Sequence, residues 1–261
     1  MSTRHYGPNL VVDGGAGLRA ARYDAEVLEQ LRQIAIFDTG RIVLRAIMRG
    51  ARQVRVVPWT STVHNADVTP THWIAAEPAG VPVLDGNGVA MARFRGRVGT
   101  GAGSDAVVRY SPATFQADAG GWNRQARLAW ATVTGHAPPA PGDDRGEMLL
   151  HELVHAYRMT LGLLHPRPAG MGYDTREELI AVTVANLYSA ERDRPLRADH
   201  TFTTPALADY AGRLMTPEFR HTLLAAMVEM PALANALAGV RARPNPFAQY
   251  ALPTLSEIVS G

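Results

Sequence analysis

His151, Glu152 and His155 form an H-E-x-x-H run inside an apolar stretch. On a helix, residues four apart share a face, so both imidazoles can reach one ion. Glu152 stands about a quarter-turn round from His151, within reach of a water that such an ion would activate. This is the chemistry of a zinc hydrolase: imidazoles hold the metal and a carboxylate moves a proton. Leu149, Leu150, Leu153, Val154, Ala156, Tyr157 and Leu161 recur at helical spacing, and Gly162 offers a stop.

A catalytic zinc takes three protein ligands and leaves a fourth position for water. The chain has no cysteine, so the third ligand must be His, Asp or Glu. A His six residues beyond His155 would mark the elongated metzincin motif, but position 161 is Leu. The remaining candidates are Glu177 and Glu178, which open the next helical stretch. A carboxylate there completes a His/His/Glu set. The same pair also suits capping, since Asp174 with Glu177, or Thr175 with Glu178, forms a capping box. If Asp174 caps the helix and Glu177 closes the box, Glu178 is left to face the ion. Glu178 is therefore the preferred third ligand.

The chain has 261 residues, enough for one large domain or two lobes with an ample core. Hydrophobic residues make up 46%, which is ordinary for a globular protein. No apolar run approaches the roughly 20 residues of a membrane helix. Residues 1–17 lack a basic start followed by an apolar core, so no Sec-type signal peptide is expected. Net charge is +2 at pH 7, yet the isoelectric point is 9.1, because every basic side chain is Arg and Lys is absent. A GC-rich genome explains that bias. So does work inside a eukaryotic cell, where a chain without lysine offers no side-chain amine to ubiquitin. Arg is scattered rather than gathered on one face, which speaks against a nucleic-acid partner. Its densest patch, Arg93, Arg95 and Arg97, alternates as on the solvent face of a strand.

Residues 1–50 read as mainly helical, with a helical hairpin over 23–36 and 41–48 around the turn at Asp38, Thr39 and Gly40. Residues 51–118 are sheet-rich: β-branched runs at 54–57, 71–74, 81–84 and 107–110 are cut by Gly and Pro. Residues 85–88 give a hairpin signal. Residues 99–104 are rich in glycine, but no Gly-Lys-Ser/Thr follows, so a flexible loop is expected rather than a phosphate loop. The run at 107–110, ending at Ser111 and Pro112, has the character of an edge strand to which a peptide substrate could add. Residues 119–146 read as a loop insert beside the catalytic helix, a candidate lid. The part over 147–250 carries the ligands, with further helices over 175–192, 206–214, 217–230 and 231–240. Pro217 and Pro231 suit first turns, and the tail after Arg241 reads as extended. Helical, then β, then helical predicts an α+β fold, a single domain over 1–261 with the site between lobes.

Residues 151–156, the run from Glu177 and Glu178 to Ala181, and the run from Leu196 and Arg197 to Asp199 and His200 together resemble a known family. They are similar to bacterial effector-type zinc metallopeptidases of the H-E-x-x-H class, many delivered into host cells by specialised secretion systems such as type III. Thr39, Gly40 and Arg41, and residues 243–247, look like further landmarks. More distantly, the core is similar to the catalytic domains of clostridial neurotoxins and anthrax lethal factor, the gluzincin arrangement. The resemblance is specific over 146–200. It implies a zincin-like fold: a small twisted sheet, an active-site helix and a mainly helical C-terminal lobe. It implies one zinc ion on His151, His155 and Glu178, with Glu152 as the catalytic base. From lethal factor it implies a transition-state role for Tyr173, although the spacing differs. It implies a protein substrate, such as a host protein, and a bacterial cytoplasmic precursor exported towards the host cytoplasm. Neither a nucleic-acid partner nor a membrane span is expected.

In that chemistry Glu152 accepts a proton from the attacking water and passes it to the leaving nitrogen. Tyr173, Arg197 or His200 would steady the oxyanion. Asp174 or Asp199 would orient a ligand imidazole. Another zinc amidohydrolase is an alternative, but resemblance to peptide deformylase would require a Cys ligand. A metal-binding, non-proteolytic interaction protein is another. Glu152 argues against it, because a structural site needs no base. His5, His64, His72, His136, His165 and His221 have no ligand spacing.

Overall fold

The computed structural model describes residues 2–60, 66–84, 91–112, 144–169, 173–198, 212, 214 and 216–250. The hairpin signal at 85–88, residues 119–143 of the expected insert and nearly all of the expected 206–214 helix lie outside the described residues, as do His64, His136, Asp199 and His200.

The chain opens on strands, not on helix. β1 (Ser2–Gly7) and β2 (Leu10–Gly15) pair antiparallel. Leu10, Val11 and Val12 are all buried, and so short an apolar run is satisfied by a strand more readily than by a helix. Next come α1 (Ala20–Ile36) and α2 (Asp38–Arg49). Thr39, Gly40 and Arg41 lie within α2 rather than in a turn. Gly40 marks the closest approach of the two helices, because a Cβ there would stand 2.2 Å from the Ile34 carbonyl oxygen.

β3 (Val54–Pro58), β4 (Asp67–Pro70) and β5 (Ala106–Tyr110) complete a five-stranded sheet of order β1-β2-β3-β5-β4. β2, β3 and β5 are parallel, and β4 lies antiparallel on β5. β5 is therefore interior, and the expectation of an edge strand at 107–110 is corrected. The edge belongs to β4, whose Pro70 suits that position. Residues 71–74 do not form a strand either. The Ser104 hydroxyl accepts the His72 N–H at 2.9 Å and turns the chain into the short helix α3 (Trp73–Ala76). Among the described residues, the 81–84 run pairs as an isolated bridge between Pro82 and Val98 rather than as a strand. Arg93, Arg95 and Arg97 are exposed around a 3-10 turn at Ala92–Phe94, where Gly96 at φ +72° bends the backbone out of strand geometry.

α4 (Arg145–Thr160) and α5 (Arg176–Ala190) form the antiparallel centre of the helical part. Every residue of α4 from Gly146 to Thr160 is buried, between β4 and β5, α2 and α5. Such a helix is held by packing all round rather than by one apolar stripe. Asp144 caps it, accepting the Glu147 N–H at 2.9 Å, and also takes two bonds from Arg192 just beyond α5. Gly162 ends it at φ +71°. The glycine-rich 99–104 segment is a packed seam against this end, not a flexible loop. Thr100, Gly101 and Gly103 donate to the carbonyls of Ile74, Glu77 and Ala75, and Ser104 donates to that of Met159. At Gly103 (φ +75°) a Cβ would lie 2.1 Å from the Thr160 carbonyl oxygen.

α6 (Pro217–Glu229) and α7 (Pro231–Ala238) each begin on the expected proline. The extended tail expected after Arg241 is replaced in part by α8 (Pro246–Gln249). Asn245 caps it by accepting the Ala248 N–H, while its amide donates to the Leu237 and Val240 carbonyls. The architecture is α+β: a mixed sheet followed by a mainly helical C-terminal part. Among the described residues, no helix is long and apolar enough to cross a membrane.

Glu77, just after α3, is fully buried, and among the described residues its Oε1 accepts a long bond from the Leu84 N–H, at 3.4 Å. Burial pushes its carboxyl up to about 7; the Leu84 N–H counters and nearby Glu177 adds. An unfolded Glu titrates at about 4.3. A raised folded-state pKa means that the group costs stability as pH climbs from about 4.3 through about 7. Glu77→Gln is expected to stabilise the protein by ~1–2 kcal/mol at pH 8, with the gain vanishing towards pH 4. Denaturant unfolding across that range checks it, and a Gln variant no more stable at pH 8 contradicts it.

Candidate metal centre

α4 and α5 bring three donors to one point. His151 Nε2 and His155 Nε2 stand 3.1 Å apart. From α5, Glu178 places Oε2 3.1 Å from His151 Nε2 and Oε1 3.4 Å from His155 Nε2. Ligands at about 2.0–2.1 Å around a tetrahedral ion stand about 3.3 Å from one another, so the spacing fits a small divalent metal. Among the described residues, this is the group of His, Asp and Glu whose ligand atoms converge.

The capping chemistry of α5 decides which glutamate arrives. Thr175, not Asp174, is the cap: its hydroxyl oxygen accepts the Glu178 N–H at 3.2 Å, and Asp174 is exposed. The preferred arrangement, with Asp174 capping and Glu177 closing the box, is corrected. Glu177 instead accepts Arg158 Nε on both oxygens, at 3.0 and 2.8 Å. Glu178 is the one that reaches the histidines.

The charges are arranged for a cation. Burial pushes His151 down to about 3, so it stays neutral with a lone pair to offer. Burial opposes charge on His155 as well, but the Glu178 and Glu177 carboxylates outweigh it and pull His155 up to about 10. Burial also works against the Glu178 carboxylate, yet His155 and His151 hold it well below the usual range. A proton on His155 thus balances Glu178, and a divalent ion can take over that role.

Glu152 is 7% exposed. Burial pushes its carboxyl up to about 7; His155 and Arg197 pull it down, and Glu178 and Asp67 push it up. A carboxyl titrating there exchanges protons readily near neutral pH. The edge strand β4 packs against α4, the helix that carries Glu152, and its Asp67 charge reaches that carboxyl. Asp67 is itself gripped by Arg109 at 2.6 and 2.5 Å, and that guanidinium lies over the Trp59 ring, 5.6 Å from its centroid.

Comparison with protein-family models, with curated proteins and with solved structures found no match for this chain. What the residues themselves establish is a cluster that could hold a metal ion: two buried histidines on the H-E-x-x-H helix and the partly buried Glu178 of α5.

The other expected site residues fall unevenly. Tyr173 is 3% exposed and belongs to the hydrophobic core shared by α4 and α5. Arg197 is 1% exposed, and Asn186 holds its backbone at both N–H and C=O. Its charge acts on His151 and Glu152. Of the two aspartates expected to orient a ligand, Asp174 is exposed and Asp199 lies outside the described residues. The carboxylate nearest the second nitrogen of His155 is that of Glu177, with Oε2 3.8 Å from Nδ1. Sequence reasoning missed Arg158, although it lies one turn beyond His155 on the same face. Asp67 carried no signal at all.

Proposed function

We propose that the protein is a zinc-dependent endopeptidase that hydrolyses peptide bonds of a protein substrate. The observation that carries this reading is the convergence of His151, His155 and Glu178 at 3.1–3.4 Å, with buried Glu152 on the same helix. A divalent ion held there supplies Lewis acidity, polarising a carbonyl and making water more acidic. Glu152 takes the proton of the attacking water and hands it to the leaving nitrogen. The positive field of Arg197 favours the oxyanion. Tyr173 enters as a further donor through the resemblance to lethal factor. The edge of β4 beside Glu152 offers backbone groups to an extended peptide.

Zinc is the metal favoured by two imidazoles and a carboxylate with a vacant fourth position. The H-E-x-x-H helix, the Glu177-Glu178 pair and Arg197 support kinship with the effector-type metallopeptidases. That kinship supplies the target class, a host protein, and delivery by a specialised secretion system. A surface without lysine suits that setting. A non-proteolytic metal pin has no use for a buried carboxyl beside the ligands.

The test is to incubate zinc-loaded protein with a eukaryotic lysate and map new protein N-termini, with Glu152→Gln in parallel. Termini that appear with the wild type, and vanish with the variant or a chelator, are expected. Identical sets from both proteins contradict the reading.

A further inference from the structure

Glu229, the last residue of α6, bridges the two helices that carry the metal-site residues. Its Oε2 accepts from Arg158 Nη2 of α4 at 3.1 Å, and its Oε1 accepts from Arg176 Nη2 of α5 at 2.8 Å. Arg158 is fully buried. Its Nε holds both oxygens of Glu177, its Nη2 also donates to the Leu163 carbonyl at 2.7 Å, and its Nη1 faces Met230 Sδ at 3.5 Å. Glu177 accepts the His165 N–H at 2.7 Å and stands 3.8 Å from His155 Nδ1. The other ring nitrogen, His155 Nε2, is the one that faces His151 and Glu178. A single line of charged contacts thus runs from α6 to the back of a ligand imidazole.

Two features make this line more than packing. A carboxylate behind a ligand imidazole favours a proton on the rear nitrogen and a lone pair towards the metal, and at 3.8 Å Glu177 acts on His155 through its charge. A fully buried guanidinium gripped by two carboxylates and the Leu163 carbonyl has its position tightly held. We propose that Glu229, Arg158 and Glu177 form a positioning relay, through which the docking of α6 orients His155 and sets the affinity for metal. The relay rests on the metal-site reading above. Coupling of this kind is reciprocal, so metal binding also tightens α6 against α4 and α5.

The experiment measures zinc affinity by chelator competition, and the ligand-field absorption of the cobalt(II)-loaded protein, for wild type, Glu177→Gln and Glu229→Gln. Glu177→Gln is expected to weaken zinc binding about 10–100-fold. Glu229→Gln, which touches no ligand, is expected to weaken it about 3–10-fold. Both should shift the cobalt spectrum in the same sense. Zinc should slow amide hydrogen exchange in α6 of the wild type, and less so in Glu229→Gln. A purely structural role would lower the unfolding temperature of the metal-free variants but leave zinc affinity and the cobalt spectrum of the folded protein unchanged. That result overturns the relay. Glu229 lies at the partly exposed end, so its variant decides the matter if Glu177→Gln fails to fold. Wild-type protein that binds no zinc sinks the metal-site reading and the relay with it. Wild-type binding that both folded variants retain sinks the relay alone.

Discussion

Glu152→Gln should abolish peptide-bond hydrolysis while the protein stays folded and keeps its metal. Gln fills nearly the same volume at a site that is 7% exposed, so packing is undisturbed. It also removes an acid that burial makes costly to ionise, so stability should not fall. What it cannot do is take a proton. General acid–base groups contribute about 10²–10⁴-fold, and the loss in kcat should lie in that range. The measurement is turnover of a substrate found by N-terminal mapping, with zinc content assayed on the same samples. Activity within a few-fold of wild type would remove Glu152 from the chemistry. Lost activity accompanied by lost zinc would make it a ligand instead.

Glu178→Ala and Glu177→Ala should fail in opposite ways. Glu178→Ala removes one of three converging donors, so zinc affinity should fall by more than about a hundredfold, beyond what the loss of an outer partner costs. The fold should survive, because the carboxylate that satisfies Arg158 is untouched. Zinc should then no longer raise the melting temperature, since stabilisation by a ligand depends on its binding the native state. Glu177→Ala takes one of two carboxylates from a fully buried guanidinium, leaving it Glu229 and the Leu163 carbonyl, and should still cost folding about 2–3 kcal/mol. Whatever folds should still take up zinc, more weakly. Melting curves with and without zinc separate the two patterns, and the reverse pattern would exchange the roles of the two residues.

The parts of the site that were legible in the sequence are the local ones. The spacing of His151, Glu152 and His155 is a property of one helix, and the apolar repeat around it marks α4 without reference to the rest of the chain. Pro217 and Pro231 likewise announce α6 and α7, because a proline at a first turn acts within its own segment. What failed depends on partners distant in sequence. The run at 107–110 looks like an edge strand, and only Asp67–Pro70 laid along it makes it interior. β4 could not be foreseen, since Asp and Pro at its two ends are poor strand formers and its four residues are held by pairing. The choice between Glu177 and Glu178 was open because two capping boxes are offset by one residue. The Thr175 hydroxyl settles the local geometry, and Arg158 claims Glu177 from the neighbouring helix. Asn245 turns a Pro-rich tail into α8 by bonds back to α7 and Val240, again a contact that no local pattern encodes.

Zinc loading followed by zinc-edge X-ray absorption, on wild type and His155→Ala, tests the central claim most directly. The account predicts one zinc per wild-type chain, bound by two imidazole nitrogens and a carboxylate oxygen at about 2.0–2.1 Å, and little retained zinc in the variant. No zinc on the wild type, or zinc that His155→Ala holds equally well, would contradict it.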